Sequence, residues 1–430
     1  WEARGQVRFK QLRGFSRLFP IPMYIDETSV NFNTNNMTLS GARLHLGKSD
    51  LTLSGELSGI RRAMLRGGKL KANFELESDL IDCNQLMLAI GKGLQFSDQL
   101  ASNSVRAFSE DSISVLETDH LLANTVDSVA TDSISQLFVV PKFLDLTLHT
   151  NAKKIDFKDL KLEDVKGEVV IRDQSINLSD LCMSSNIGSG DLTMVYTTKT
   201  DQEATMGFEL SLNDILVERL ISLFPDIDTL VPMLRSFEGM VDCQMTATCK
   251  ADSTMSVLLP SVNASCYLSG KNMVLLDGET FTEISKTLMF KNKKRNMIDS
   301  IAVDLAIHDN KIEVFPFLVE MDRYKVAVGG THNLDMTFDY HLSVLKSPVP
   351  FKLGIDIKGN LDDFKFKIVK CKYKDFLKPA KQAELDSTRR NVREEIRETI
   401  RKQIREAAPE LGNSLSEIHP HTHGHVEEST

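Results

Sequence analysis

Apolar and polar residues alternate along this chain with a period of two, in one run after another. Leu334, Met336, Phe338, Tyr340, Leu342 and Val344 fall on one side of such a run. Asp335, Thr337, Asp339, His341 and Ser343 fall on the other. Only a β-strand sends successive side chains to opposite faces, so each run is a strand with one dry face and one wet face. The pattern recurs at Leu51–Leu57, Leu70–Leu76, Met206–Leu212, Val241–Cys249, Ile301–Ile307, Phe351–Ile357 and Phe364–Ile368. Short turns such as Asp309-Asn310 and Gly329-Gly330 separate them, and the chain reads as roughly 14 to 17 antiparallel strands.

Helical spacing is rarer. Gly59–Arg66 and Asp82–Gly91 read as short helices, as do Asn213–Phe224, Asp226–Phe237 and Gly278–Phe290. Ala380–Ala408 is the long one. Val392, Ile396, Ile400 and Ile404 give it a narrow stripe at i, i+4, set among Arg389, Arg393, Arg397, Glu394 and Glu398. Two readings compete: a helix docked on the end of the sheet, or a basic amphipathic helix on a membrane surface. The thin stripe and mixed charge favour docking.

A loose internal repeat runs through Met37–Leu57, Ile176–Tyr196 and Ile312–Leu334, each a hairpin-like unit. Ser97–Gln136 breaks the rhythm. Nine of its residues are Ser, and its five Asp and two Glu against one Arg make it acidic. Ala407–Thr430 is acidic too, with four Glu and no Lys or Arg. Together these outweigh the formal net charge of -9, so the remaining chain is near neutral. That argues against a basic nucleic-acid surface. The expected organisation is a β-repeat region over 1–96 and an acidic insertion or linker over 97–136. A β-groove region follows over 137–376, then an amphipathic helix over 377–411 and a disordered His-rich tail over 412–430.

Catalytic motifs are absent: there is no GxSxG, HExxH, Walker loop or GxGxxG opening a helix. His45, His149, His308 and His341 each stand singly in strand runs, with no Ser or Asp at a spacing that suggests a triad. The expectation is a protein that is not an enzyme and carries no cofactor. His419, His421, His423 and His425 read as a solvated tail with incidental metal affinity, so no metal site is expected either. The six cysteines include no CxxC pair, and the sequence leaves open whether Cys243, Cys249 and Cys266 pair.

Each dry face must be covered by something. Either two sheets close as a sandwich, or a curved sheet keeps an apolar groove, and the helices are too few to cover a sheet of this size. The expected fold class is therefore mainly β: large curved antiparallel sheet or sheets forming an open apolar groove, a few short helices and a long C-terminal amphipathic helix. The groove lining is expected from Leu53, Phe74, Met194, Phe208, Leu305, Val328, Met336, Phe338 and Tyr340. Such a lining offers an acyl chain about 0.8 kcal/mol per buried CH₂ and offers little that specifies a sugar or a nucleotide.

Three stretches resemble the AsmA family in the form found in Bacteroidetes-type bacteria. They are SDLTLSGELSGIRRAMLRGGKLKANFELESDLIDCNQLM (Ser49–Met87), VKGEVVIRDQSINLSDLCMSSNIGSGDLTMVYTT (Val165–Thr198) and Ile298–Val344. The last holds the strand DNKIEVFPF, the connection GGTHNLD and the strand FDYHLSV. The resemblance covers most of Thr28–Phe376 outside the Ser-rich insertion. It implies a periplasmic protein anchored in the inner membrane by an N-terminal helix, for which the Trp1 start leaves a place. It also implies kinship with bridge-like lipid-transfer proteins, phospholipid acyl chains as partners and a role in outer-membrane biogenesis and assembly. No catalytic residues come with it, and no nucleic-acid partner. The competing expectation is a closed β-sandwich that recruits envelope proteins through strand edges or the C-terminal helix.

Overall fold

The computed structural model describes residues 4–407, apart from 17–18, 27, 63–67, 91, 94–136, 158–159, 186–187, 201, 224–236, 276–295, 322–323, 334–336, 348–351 and 361–362. The acidic insertion, the His-rich tail, the expected helix Gly278–Phe290 and nearly all of Asp226–Phe237 lie outside those residues. So do Met336 and all but three residues of the expected helix Gly59–Arg66 that follow its first glycine, residues 60–62 being helical.

One curved, open sheet of 22 strands makes up the described fold. A closed sandwich of two sheets is therefore not the architecture. From Asn36 onward the long strands form a meander. These are β5 (Asn36–Leu46), β6 (Ser49–Ser58), β7 (Leu70–Ser78), β9 (Leu144–Phe157), β10 (Leu160–Arg172), β11 (Ser175–Ser185), β12 (Gly188–Thr197) and β13 (Glu203–Leu216). The meander continues through β15 (Met240–Asp252), β16 (Asn263–Leu275), β17 (Asn296–His308), β18 (Lys311–Met321), β19 (Tyr324–Asn333), β20 (Phe338–Lys346), β21 (Leu353–Gly359) and β22 (Phe364–Val369). The strand count exceeds the sequence expectation because short pieces join the ladder. They are β1 (Arg4–Phe9), β2 (Leu12–Ser16), β3 (Phe19–Ile25) and β4 (Thr28–Asn33) at one end, with β8 (Ile81–Asp82) and β14 (Phe237–Glu238) inside.

Nearly every pairing is antiparallel. The exception is β9, which runs parallel to β7 from Leu70↔Leu144 to Ser78↔Ala152 and parallel to β8. A parallel pair needs a crossover connection. Here the crossover runs from Asp82 to Leu144 and contains the Ser-rich stretch, so the strands before and after that stretch belong to the same sheet. A helix at residues 83–90 starts the crossover. Asp82 caps it by accepting the Gln85 N–H at 2.9 Å, and Ser49 Oγ accepts the Asp82 N–H at 2.9 Å.

Two local expectations are corrected. Gly329-Gly330 is not a turn but the middle of β19, with Gly330 opposite Tyr340. A Cβ at Gly330 would stand 2.3 Å from the Asp339 carbonyl oxygen and 2.7 Å from the Tyr340 Cα, so glycine is there for close packing. The expected helix Asn213–Phe224 is a strand as far as Leu216, because Ile215 and Leu216 still pair with Val241 and Met240. Only Val217–Leu223, where the strand partner runs out, forms helix α1. By contrast Asp309 and Asn310, at φ 50° and 60°, make the expected two-residue hairpin turn.

Among the strands that carry one extra residue against a neighbour are β5, β11, β13 and β18, at Leu39/Ala42, Leu178/Leu181, Leu212/Ile215 and Val314/Phe317. Gly41, Asp180 and Asp214 take left-handed backbone there, at φ 61°, 50° and 55°. Such bulges bend a strand and increase its twist.

The C-terminal helix α2 spans Pro379–Ala407. It crosses β11, β12, β13, β15 and β16. It therefore lies on a face of the sheet rather than at its end.

Replacing Gly330 with alanine forces a methyl group into the β20 backbone, and should cost about 2 kcal/mol or more. Gly41 has nothing within 4 Å of a Cβ. Gly41→Ala should cost only the left-handed conformation, about 1 kcal/mol. Urea midpoints at constant slope measure both.

Candidate functional site: an apolar sheet face

Directly opposed residues share a face, so the strand register can be followed across the sheet. From Gly55 the line passes through Phe74, Leu148, Val169, Leu178, Met194, Phe208, Ala247, Ala264, Ile307 and Ile312. A second line runs from Leu210 through Met245, Cys266, Leu305, Val314, Gly330, Tyr340 and Ile357 to Phe366. Both lines lie on one face, since Phe208 and Leu210 are two apart on β13. All of the expected lining residues that the structure describes fall on that face: Leu53, Phe74, Met194, Phe208, Leu305, Val328, Phe338 and Tyr340.

They are not equally open. Leu305 and Val328 are buried in two adjoining clusters that share Phe317 and Val319, so they belong to the core as much as to a surface. Leu53 packs with Leu86 of the helix at residues 83–90. Phe74, Met194, Phe208, Phe338 and Tyr340 are half-buried. Burial pushes the Tyr340 phenol up to about 12.

Three pieces of chain border this face. The helix at residues 83–90 covers Leu51, Leu53 and Leu148. Leu137–Val140 packs on Ile171, Ile176, Tyr196 and Met206 at one rim, where Tyr196 Oη donates to the Phe138 carbonyl at 2.8 Å. At the other rim, Leu220 and Ile221 of α1 pack on Val241, Leu268, Ile298 and Ile301. The face ends on the edge strand β22, where Phe366 is 44% and Ile368 61% exposed.

The opposite face is where α2 lies, and it mixes charged Glu209 and Asp304 with buried Val170, Val195, Ala327 and Leu345. Arg397 pairs with Glu209 at 2.9 Å and Arg389 with Asp304 at 3.3 Å. Arg389 also donates to the Pro316 carbonyl at 2.6 Å. Glu209 alternates with Phe208 and Leu210, so the helix sits on the side away from the apolar lines. Val392 and Ile396 of its stripe are half-buried. On β11, on the same face as α2, Asn177 is buried with neither amide atom hydrogen-bonded among the described residues. Among those residues no helix is long and apolar enough to cross a membrane, and no cluster of His, Cys, Asp and Glu is placed to hold a metal ion.

One constellation on this face was invisible in the sequence. His341 Nδ1 lies 2.5 Å from Asp356 and its Nε2 lies 2.9 Å from Ser343 Oγ. This is the order of a Ser-His-Asp triad, assembled by strand register where the sequence spacing suggested none. The surroundings give it a structural job. Ser343 is fully buried, and its Oγ accepts the Tyr373 N–H at 3.0 Å. His341 Nε2 accepts the Lys372 N–H at 3.1 Å, and Tyr373 packs edge-on against the imidazole. The trio thus anchors the segment after β22, whose Phe376 packs on Ala327 and Leu345. The only sequence signals were His341 and Ser343 two apart, and Asp356 on the next strand.

No family model matches the chain, and no curated protein or solved structure matches it either.

The His341 bond, and then Lys372, hold the Asp356 carboxyl below its ordinary 3.8 against the opposing effect of burial. A depressed carboxylate stabilises the fold above its unfolded value, and that contribution disappears as pH falls through the folded value. Wild-type stability should therefore drop on acidification below pH 3.8, and Asp356→Asn should flatten that limb. At neutral pH, His341→Ala removes the partner of buried Ser343 and half-buried Asp356 and should cost about 2 kcal/mol. Urea titrations at a series of pH values report both effects.

Proposed function

We propose that the apolar face is a binding groove for the acyl chains of phospholipid, and that the protein carries lipid along it. The observation that supports this reading most is the apolar ladder from β6 to β22, in which Met194, Phe208, Phe338 and Tyr340 stay half-buried while α2 lies on the other face. A continuous hydrocarbon floor suits a ligand that slides along it, with head groups in the water at the rim. The resemblance to the AsmA family points the same way. On this reading the protein is periplasmic, held at the inner membrane by an N-terminal helix in the full-length chain, and it supports outer-membrane biogenesis and assembly without enzymatic turnover. It needs no cofactor.

A second reading rests on the edge strand β22. Its exposed Phe366 and Ile368, on a strand whose outer side pairs with no strand among the described residues, suit addition of a strand from an envelope protein.

Lipid extraction from the purified protein followed by mass spectrometry should recover phospholipid, and a photocrosslinking residue at Phe338 should label it. A protein free of lipid that also gives no crosslink from Phe338 refutes the groove reading. Met194→Asp and Phe208→Asp should leave the fold in place, because water reaches both side chains, yet reduce recovered lipid at least tenfold. A charge in the floor costs an acyl chain several of its CH₂ contacts.

A further inference from the structure

Two cysteines lie side by side in the floor of the apolar face. Cys243 on β15 is opposite Leu268, and Cys266 on β16 is opposite Met245, so the two thiols are diagonal neighbours on adjacent strands. Their sulfurs are 4.0 Å apart, and the residues are 0% and 8% exposed. A disulfide brings sulfurs to about 2.05 Å. Rotation about χ1 and a small shift between strands that are already hydrogen-bonded would close the gap. Cys249 lies further along β15, opposite Met206. Cys83, Cys182 and Cys371 sit on the helix at residues 83–90, on β11 and after β22.

We propose that Cys243 and Cys266 are a disulfide-forming pair that staples β15 to β16 when the chain folds in the presence of a disulfide oxidant. The thiolate of Cys266 attacks the oxidant, for example oxidised glutathione. A mixed disulfide forms and one glutathione thiolate leaves. The thiolate of Cys243 then attacks the Cys266 sulfur and expels the second glutathione thiolate. The two electrons pass to the oxidant, and the two protons given up by the cysteines protonate the departing glutathione thiolates, so the oxidant ends as two thiols. The exchange belongs to folding, before the floor closes over the sulfurs, and the closed floor then shields the bond from reductants. Proximity selects this pair: the ladder of β15 and β16 brings the two sulfurs to 4.0 Å, on adjacent hydrogen-bonded strands. This inference goes beyond lipid carriage: it requires a folded ladder and an oxidant, and no ligand in the groove.

The test is to refold the full chain in oxidised and reduced glutathione, alkylate the remaining thiols, and map peptides without reduction. The expected result is one Cys243–Cys266 linked peptide with the other four cysteines alkylated or glutathionylated. The oxidised protein should also melt a few degrees above the reduced one. Cys243→Ser or Cys266→Ser should abolish the linked peptide, and Cys249→Ser should leave it. The proposal is overturned if Cys243 and Cys266 stay alkylatable in folded protein while exposed Cys182 takes up glutathione. It is equally overturned by a peptide linking Cys249 to either residue. If a serine variant fails to fold, the wild-type peptide map alone decides. Lipid binding is read separately, so failure of the staple and failure of the groove are distinguishable.

Discussion

A strand that inserts one extra residue against its neighbour keeps two residues, three apart in sequence, on the same face. That register step underlies the shape of this molecule. A long ladder with strict alternation keeps its faces distinct but follows only the ordinary sheet twist. At Leu39/Ala42, Leu178/Leu181 and Val314/Phe317 both flanking residues are apolar, so the bend is made without sending a polar side chain to the apolar face. Where Gly41, Asp180 and Asp214 supply the turn, the backbone visits the left-handed region, which glycine and aspartate tolerate better than β-branched residues. The sheet therefore bends while its apolar lines stay continuous.

This also explains the internal repeat. Counting from Met37, Ile176 and Ile312, the bulge falls at the same offset, two and five residues in. The hairpins β5–β6, β11–β12 and β18–β19 repeat a bend as well as a pair of strands. The alternation was legible in the sequence because side-chain period follows directly from backbone geometry. The bulges were there too, as i, i+3 apolar steps inside strands such as Leu178-Ser179-Asp180-Leu181. A single break in alternation resembles noise until its partner strand is known.

Other features escaped for reasons that are equally physical. β1 to β4 are short and take their stability from neighbours, so local pattern marks them weakly. Residues 213–216 carry a helical spacing, but the ladder to β15 supplies backbone partners that a short helix would not match. The parallel pairing of β7 with β9 is a tertiary choice made across the crossover. The His341, Ser343 and Asp356 trio needs the register of β20 against β21, which fixes His341 opposite Asp356. Of the expected groove residues, the shared face was readable from parity alone. Their degree of openness was not, because the covers at residues 83–90, at Leu137–Val140 and at α1 come from distant parts of the chain.

The two faces are stabilised by different physics, and this bears on what each can do. α2 is held on the face away from the apolar lines by Arg397 to Glu209 and Arg389 to Asp304, with a narrow apolar stripe between. Its remaining surface is charged, which suits water on its outer side. The apolar face has no such helix along its centre among the described residues. Its covers sit at the rims and at the β6–β9 end, leaving Met194 and Phe208 half-buried in the middle. Water against that floor costs free energy in proportion to apolar area. A ligand that displaces the water while keeping its own polar group at the rim recovers that cost without a single buried hydrogen bond. The chemistry of such a ligand is that of an amphiphile with a long hydrocarbon tail, and the lipid reading rests on that match between floor and tail.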